Sequence, residues 1–291
     1  MHGTARLDLN DLGSLIQWLF GQWWVYAILG AILLVVIVIW LLPASKVKPS
    51  EAFSTDDREA NEIALGFLQI TNLPSGPWND PTASALTDVE KKHLVDQWGL
   101  HSQEDWLANI ERLTTDRRRR DVWVTCLAIR DETAQRLGRV PKSREWTAAI
   151  VEAGGDKRDA RTFVAAIEQI EQQVRKLVGK DIVTPEVFVR TLDGYALGQA
   201  VALTTWGVAL GFADVAEARE IIHRINVAGR PAFSSWADFG LSYITGRVMH
   251  WSDGKLGEKT FEKLGDGWPD FRAAGTAKRN GPWAALPWRI G

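Results

Sequence analysis

Residues 156–178 read DKRDARTFVAAIEQIEQQVRKLV. Phe163, Ile167, Ile170, Val174 and Leu177 follow one another at intervals of four, three, four and three. That spacing lines one face of an α-helix and scatters over both faces of a strand. The stretch is therefore a long amphipathic helix, and Gly179, which tolerates the backbone of a helix end, stops it.

Signals of the same kind extend in both directions. Toward the C-terminus, Thr184-Pro185-Glu186 reads as an N-cap with proline at the first helical position and an acid in the first turn. Residues 195–212, YALGQAVALTTWGVALGF, carry no charge. Gln199, Thr204 and Thr205 argue against a membrane span, and Gly194, Gly198 and Ala202 form a flat row that lets another helix approach. This predicts the central buried helix of a bundle. Asp214 with Glu217 opens a further helix, and Ser234 or Ser235 opens another. Trp236, Phe239 and Tyr243 share a face, so Trp236 is expected against the glycine row.

Toward the N-terminus, Ser143 starts a short helix that ends at Gly154-Gly155, and another runs from Asp121 to Leu137 before Gly138 and Pro141. Ser102 with Asp105 opens a helix striped by Trp106, Ile110 and Leu113. Thr87-Asp88-Val89-Glu90 is a capping box that starts a helix toward Trp98, closed by Gly99. Arg58 to Leu73 repeats apolar residues at Ile63, Phe67 and Ile70, ahead of a loop forced by Pro74, Gly76, Pro77 and Pro81. No run alternates as a strand would, so the fold class is all-α, with an irregular Trp/Pro-rich tail after Gly265.

One segment lies outside that plan. Trp23 to Leu42, WWVYAILGAILLVVIVIWLL, has no polar group to resist hydrocarbon and is long enough to span a bilayer core as a helix. Trp18, Trp23, Trp24 and Tyr26 crowd one end and Trp40 sits near the other, as expected of rings at the two interfaces. The expected organisation is a short N-terminal segment (1–22), a transmembrane helix (23–42), a linker (43–57) and a helical domain (58–291). Lys46, Lys48 and Arg58 outnumber Arg6 in the flanks, so the body is expected in the cytoplasm. Cys126 is the single cysteine, so no intrachain disulfide can form.

The 291 residues hold 34 basic and 36 acidic side chains, a net charge of −2, without the basic excess on which general nucleic-acid binding depends. Five histidines (His2, His93, His101, His223, His250) form no pair at metal-ligand spacing, and no nucleotide-binding or nucleophile motif occurs. No metal or cofactor is expected. Arg117 to Arg120, bracketed by Asp116 and Asp121, reads as a solvated corner between helices. Asp193 and Arg247 sit on two very apolar helices, where a buried ion pair across them would be structural.

A wider set carries a resemblance. It comprises Gln97-Trp98-Gly99-Leu100, Ser102-Gln103-Glu104-Asp105, Asp193, Leu197-Gly198, Trp206-Gly207, Gly211-Phe212, residues 233–243 (FSSWADFGLSY), Gly246-Arg247 and the Gly281-Pro282-Trp283 tail. Together these resemble the bacterial domain-of-unknown-function family 1266 over most of residues 60–288. The family's usual Gly-Arg on the central helix is Gly198-Gln199 here. The resemblance implies a fold-level class and no chemistry. Two readings of function follow. One is a membrane-anchored interaction or adaptor domain with a protein partner, bound to the lipid bilayer through residues 23–42. The other is an enzyme or small-ligand-binding domain whose site draws on Trp98, His101, Asp105, Asp193, Trp236, Asp238 and Arg247.

Overall fold

A computed structural model of the chain describes residues 48–73, 76–256, 259–277 and 281–289. The expected transmembrane helix at 23–42, the segment before it and the first part of the linker lie outside the described residues. Among the described residues no helix is long and apolar enough to cross a membrane.

The described chain is helical and, among its residues, contains no strand. Its elements are α1 (Arg58–Ile63), a 3-10 turn (Ala64–Gly66), α2 (Phe67–Ile70), α3 (Asp88–Trp98), α4 (Gln103–Thr115), α5 (Asp121–Leu137), α6 (Ser143–Glu152) and α7 (Lys157–Val178). There follow α8 (Asp193–Ala209), α9 (Val215–Gly229), α10 (Trp236–Ser252), α11 (Thr260–Leu264), α12 (Trp268–Ala274) and α13 (Pro282–Ala285). The caps follow local chemistry. Thr87 and Glu90 form the reciprocal box that opens α3, and Gly99 closes it in the left-handed region. Ser102, Asp156, Asp214 and Ser235 each accept a backbone N–H at the start of α4, α7, α9 and α10.

Helix α8 is the axis of the domain. Every residue from Asp193 to Gly207 is buried, and α8 packs against α4, α9, α10 and the 3-10 turn. The glycine row makes the closest of these approaches possible. A Cβ on Gly194 would lie 2.8 Å from the backbone nitrogen of Tyr243 and 2.9 Å from the carbonyl of Phe239, so α10 lies directly on this row. At the other end Gly207 faces the Trp106 indole, whose Nε1 donates to the Leu203 carbonyl at 2.8 Å.

Three expectations need correction. Thr184-Pro185-Glu186 starts no helix, because side chains claim the backbone that follows. Glu171 accepts from Val189 N (2.8 Å), Arg175 donates to Val187 O and Arg130 donates to Val189 O (3.2 Å). This keeps the segment extended along α7. The tail is not wholly irregular, since it forms α12 and α13, short helices with proline in the first turn. Trp236 does not fill the glycine row, which Tyr243 and Phe239 occupy. It stacks on Trp283 (centroids 5.3 Å, 9° between planes), meets Trp288 edge-on at 4.9 Å and donates to the Leu286 carbonyl. The end of the linker segment packs on the body. The buried Asn79 side chain donates to the carbonyls of Ser50, Phe53 and Ser54.

Candidate functional site

Between α4 and α5 the chain turns through Arg117 (φ 50°) and Arg118 (φ 54°), two successive non-glycine residues in the left-handed region. Such a backbone costs about 1–3 kcal/mol per residue and persists only where the surroundings over-determine it. Here the side chains do so. Arg117 donates to Asp193 Oδ2 (2.9 Å), to Thr114 O and to Ala228 O. Arg119 holds the same carboxylate with Nε on Oδ1 (3.0 Å) and Nη2 on Oδ2 (2.6 Å). Burial alone would raise the Asp193 pKa, but the hydrogen bonds from Arg119 and Arg117, with their charges, more than reverse that and hold it below its ordinary value.

Arg118 turns the other way. Its Nε donates to the buried Gln199 Oε1 (2.8 Å), and its guanidinium lies near the Trp98 and Tyr195 rings, 5.9 and 5.6 Å from their centroids. Nη1 stands 3.0 Å from His250 Nε2. Burial, then the charges of Arg118 and Arg120, push the His250 pKa down, so at neutral pH this ring nitrogen is an acceptor. Arg120 pairs with Asp253 across the end of α10. The corner is therefore only partly solvated: Arg119 and Arg120 stay exposed, while Arg117, Arg118 and Arg119 tie the loop to the first turns of α8.

The seven residues singled out in the sequence do not form one constellation. Asp193 is clamped by Arg117 and Arg119, whereas Arg247 donates to Leu264 O (3.0 Å) and pairs with Asp266, so no ion pair joins them. Asp105 accepts from the backbone of the exposed His101 at the start of α4. Asp238 is buried and receives Arg190, Ser234 N and Ser234 Oγ. Trp236 is committed to the tail, and Trp98 Nε1 is buried without a hydrogen-bond partner. Of the seven, only Asp193 lines one of the clefts described here, a cleft it shares with Arg119, Arg190 and Thr191.

A second depression of about 490 Å³ lies on the other side of the turn from Arg230 to Ser234. At its edge, Glu62 Oε1 is 2.8 Å from His223 Nδ1 and 3.0 Å from Arg58 Nε. Arg58 Nη2 addresses the same ring, 2.8 Å from Nδ1 and 3.3 Å from Nε2, so Glu62, Arg58 and His223 form one polar cluster. Arg230 forms part of the wall, between the Trp236 and Trp288 rings. Sequence reasoning missed this group. Its only local hint was an acid four residues after Arg58, and 161 residues separate Glu62 from His223.

Among the described residues no group of His, Cys, Asp and Glu could hold a metal ion. Cys126 is buried, and burial pushes its thiol pKa up, which makes it a core residue rather than a nucleophile. Comparisons with curated proteins and with solved structures find no match. The family model described as protein of unknown function (DUF1266) matches residues 93–288, from within α3 through the arginine turn, α8, α10 and the Trp-rich tail. That is most of the helical body, and the chain belongs to the DUF1266 family.

Proposed function

We propose that this chain is an interaction or adaptor domain anchored in the inner membrane of a bacterium by residues 23–42, with its helical body in the cytoplasm. The observation that carries the reading is the internal engagement of the candidate polar residues. Asp193, Asp238, Asp105 and Arg247 each spend their hydrogen bonds on separate parts of the fold, as structural groups do. The alternative, an enzyme or small-ligand site near Trp98, Asp105, Asp193 and Arg247, has less to rest on for the same reason. The uninterrupted apolar run and its Lys/Arg flanks support the anchor and its orientation. Trp251 and Val122, 57% and 70% exposed, offer large apolar groups to a partner.

The test uses the full chain purified from detergent-solubilised membranes, beside Trp251→Ser and Val122→Ser variants. The reading expects a stoichiometric protein partner with the wild type that is depleted from at least one variant. It also expects a phosphatase-type reporter, active only outside the inner membrane, to stay silent when fused after Gly291. Recovery of the chain in the soluble fraction overturns the anchor. A chain in membranes without a stoichiometric partner overturns the adaptor role, and an active reporter overturns the orientation.

A further inference from the structure

Arg230 is 7% exposed, and its hydrogen bonds all reach uncharged acceptors. Nε donates to Asn226 Oδ1 (2.7 Å), Nη2 to the Asn61 carbonyl (2.6 Å) and Asn61 Oδ1 (2.7 Å), and Nη1 to the Trp288 carbonyl. Trp236 and Trp288 cover it at 4.7 and 4.9 Å. The guanidinium is thus satisfied in geometry and not in charge. Burial holds its pKa down to about 10, and Glu62, the one carboxylate that offsets this, also serves Arg58 and His223. A buried charge without a counterion of its own is unfavourable, and an anion placed beside it recovers part of that cost.

The depression next to Arg230 has the complementary character. Three guanidinium groups, Arg58, Arg230 and Arg289, face the single carboxylate of Glu62 along its lining. Arg289 is exposed, with no hydrogen bond or ion pair to another described residue. Val227, Phe233 and Trp288 supply an apolar wall. The volume of about 490 Å³ falls in the range of small-molecule sites.

We propose that this depression binds a small organic carboxylate with an apolar body. The carboxylate lies toward Arg58 and Arg289, where it offsets the charge excess around Arg230, and the apolar part lies against Phe233 and Trp288. Arg58 and Glu62 precede the residues that define family membership. The site thus joins α1 to α9 and to the turn after it, which lie within the matched residues. It is independent of the adaptor reading, since binding a small acid requires no protein partner.

The test is fluorine NMR of 4-fluorobenzoate with the full chain in detergent micelles, with empty micelles as the blank. 4-Fluorobenzyl alcohol serves as the neutral isostere. The wild type should broaden the benzoate signal saturably and leave the alcohol nearly unchanged. Arg289→Ser and Arg58→Gln should each weaken binding about tenfold, the loss expected for one charged hydrogen bond. Arg224→Ser, on an exposed ion pair elsewhere on α9, should match the wild type. Hexanoate should compete and inorganic phosphate should not. Circular dichroism establishes that each variant is folded. Arg289 lies near the chain end on the surface, so its variant keeps the test valid if Arg58→Gln unfolds. Absence of saturable benzoate binding, equal binding of the alcohol, wild-type affinity in the Arg289 variant or equal competition by phosphate overturns the proposal.

Discussion

Arg119 grips Asp193 across 74 residues of sequence, with Nε on one carboxylate oxygen and Nη2 on the other. Arg117 adds a third bond to the same group. Removing the acid leaves two guanidinium groups without their counterion beside the buried start of α8, and leaves the left-handed Arg117–Arg118 backbone without what holds it. Asp193→Ala should therefore cost about 1–3 kcal/mol, because the largely buried Arg117 loses its counterion while Arg119, 44% exposed, can turn to water. The pH dependence has a definite sign. Burial raises the carboxyl pKa, the arginine bonds lower it further than that, and the folded value lies below the ordinary 3.8. A depressed folded pKa means that the contribution is present above about pH 4 and is lost as pH falls through the folded value. Urea melts of the wild type should lose stability in that acid range. Asp193→Asn, which has no charge to titrate, should give a flatter curve, and parallel curves would contradict this assignment.

Helix ends and stripes were legible because their causes are local. A hydroxyl or carboxylate three residues before the backbone N–H it accepts, as at Thr87, Ser102, Asp156 and Asp214, sits within one turn of chain. The uncharged run at 195–212 likewise announced a buried helix. What escaped depends on distant partners. Nothing near Arg117 to Arg120 indicates that Asp193 awaits them, and nothing near His223 points to Glu62. The Thr184-Pro185 signal was outcompeted by Glu171, Arg175 and Arg130, which bind the backbone it would have coiled. The tail misled for another reason. Helices as short as α12 and α13 have too few internal bonds to be read from propensity, and the packing of Phe271 and Trp283 holds them in place.

Gly207 tests the close approach of α4 to α8. A Cβ there would fall on Nε1 and Cε2 of Trp106, a rigid ring whose N–H is already committed to Leu203 O. Gly207→Ala should destabilise the domain by about 1–3 kcal/mol through overpacking, despite the better helix propensity of alanine. Gly99→Ala is the contrast. That glycine has open space around it but a φ of 64°, so the cost is backbone strain of about 1 kcal/mol. Denaturant midpoints that rank the two variants in the opposite order would remove the packing argument.

Trp236 joins α10 to the C-terminal tail. It stacks on Trp283, meets Trp288 edge-on, covers Arg230 and donates to Leu286 O. Trp236→Ala should cost about 3–5 kcal/mol. Because its contacts are with the tail, the variant should also become sensitive to proteolysis after residue 265 before the rest of the domain opens. A variant that melts within a degree or two of the wild type, with an unchanged cleavage pattern, would show that the ring contributes little.

Arg130 and Glu171 form the deepest ion pair that the described residues contain, at 1% and 3% exposure. Two parallel bonds of 2.5 and 3.1 Å join them, and the Trp146 ring lies 4.4 Å from the guanidinium carbon. Neither charge could be left alone in this setting, so Arg130→Met and Glu171→Leu should each cost about 3–5 kcal/mol. The double variant should not cost the sum, because two apolar side chains of similar size restore packing and only Arg175, which also pairs with Glu171 at 3.5 Å, loses its counterion. It should still fall short of the wild type by about 1–3 kcal/mol. Glu171 Oε1 also accepts from Val189 N, and Arg130 Nη1 also donates to Val189 O, so both backbone groups would lose a partner in a buried place. A double-mutant cycle in urea measures all three quantities. Additive single costs would show that the pair is not energetically coupled. A double variant as stable as the wild type would show that the extended segment after Thr184 does not depend on these side chains.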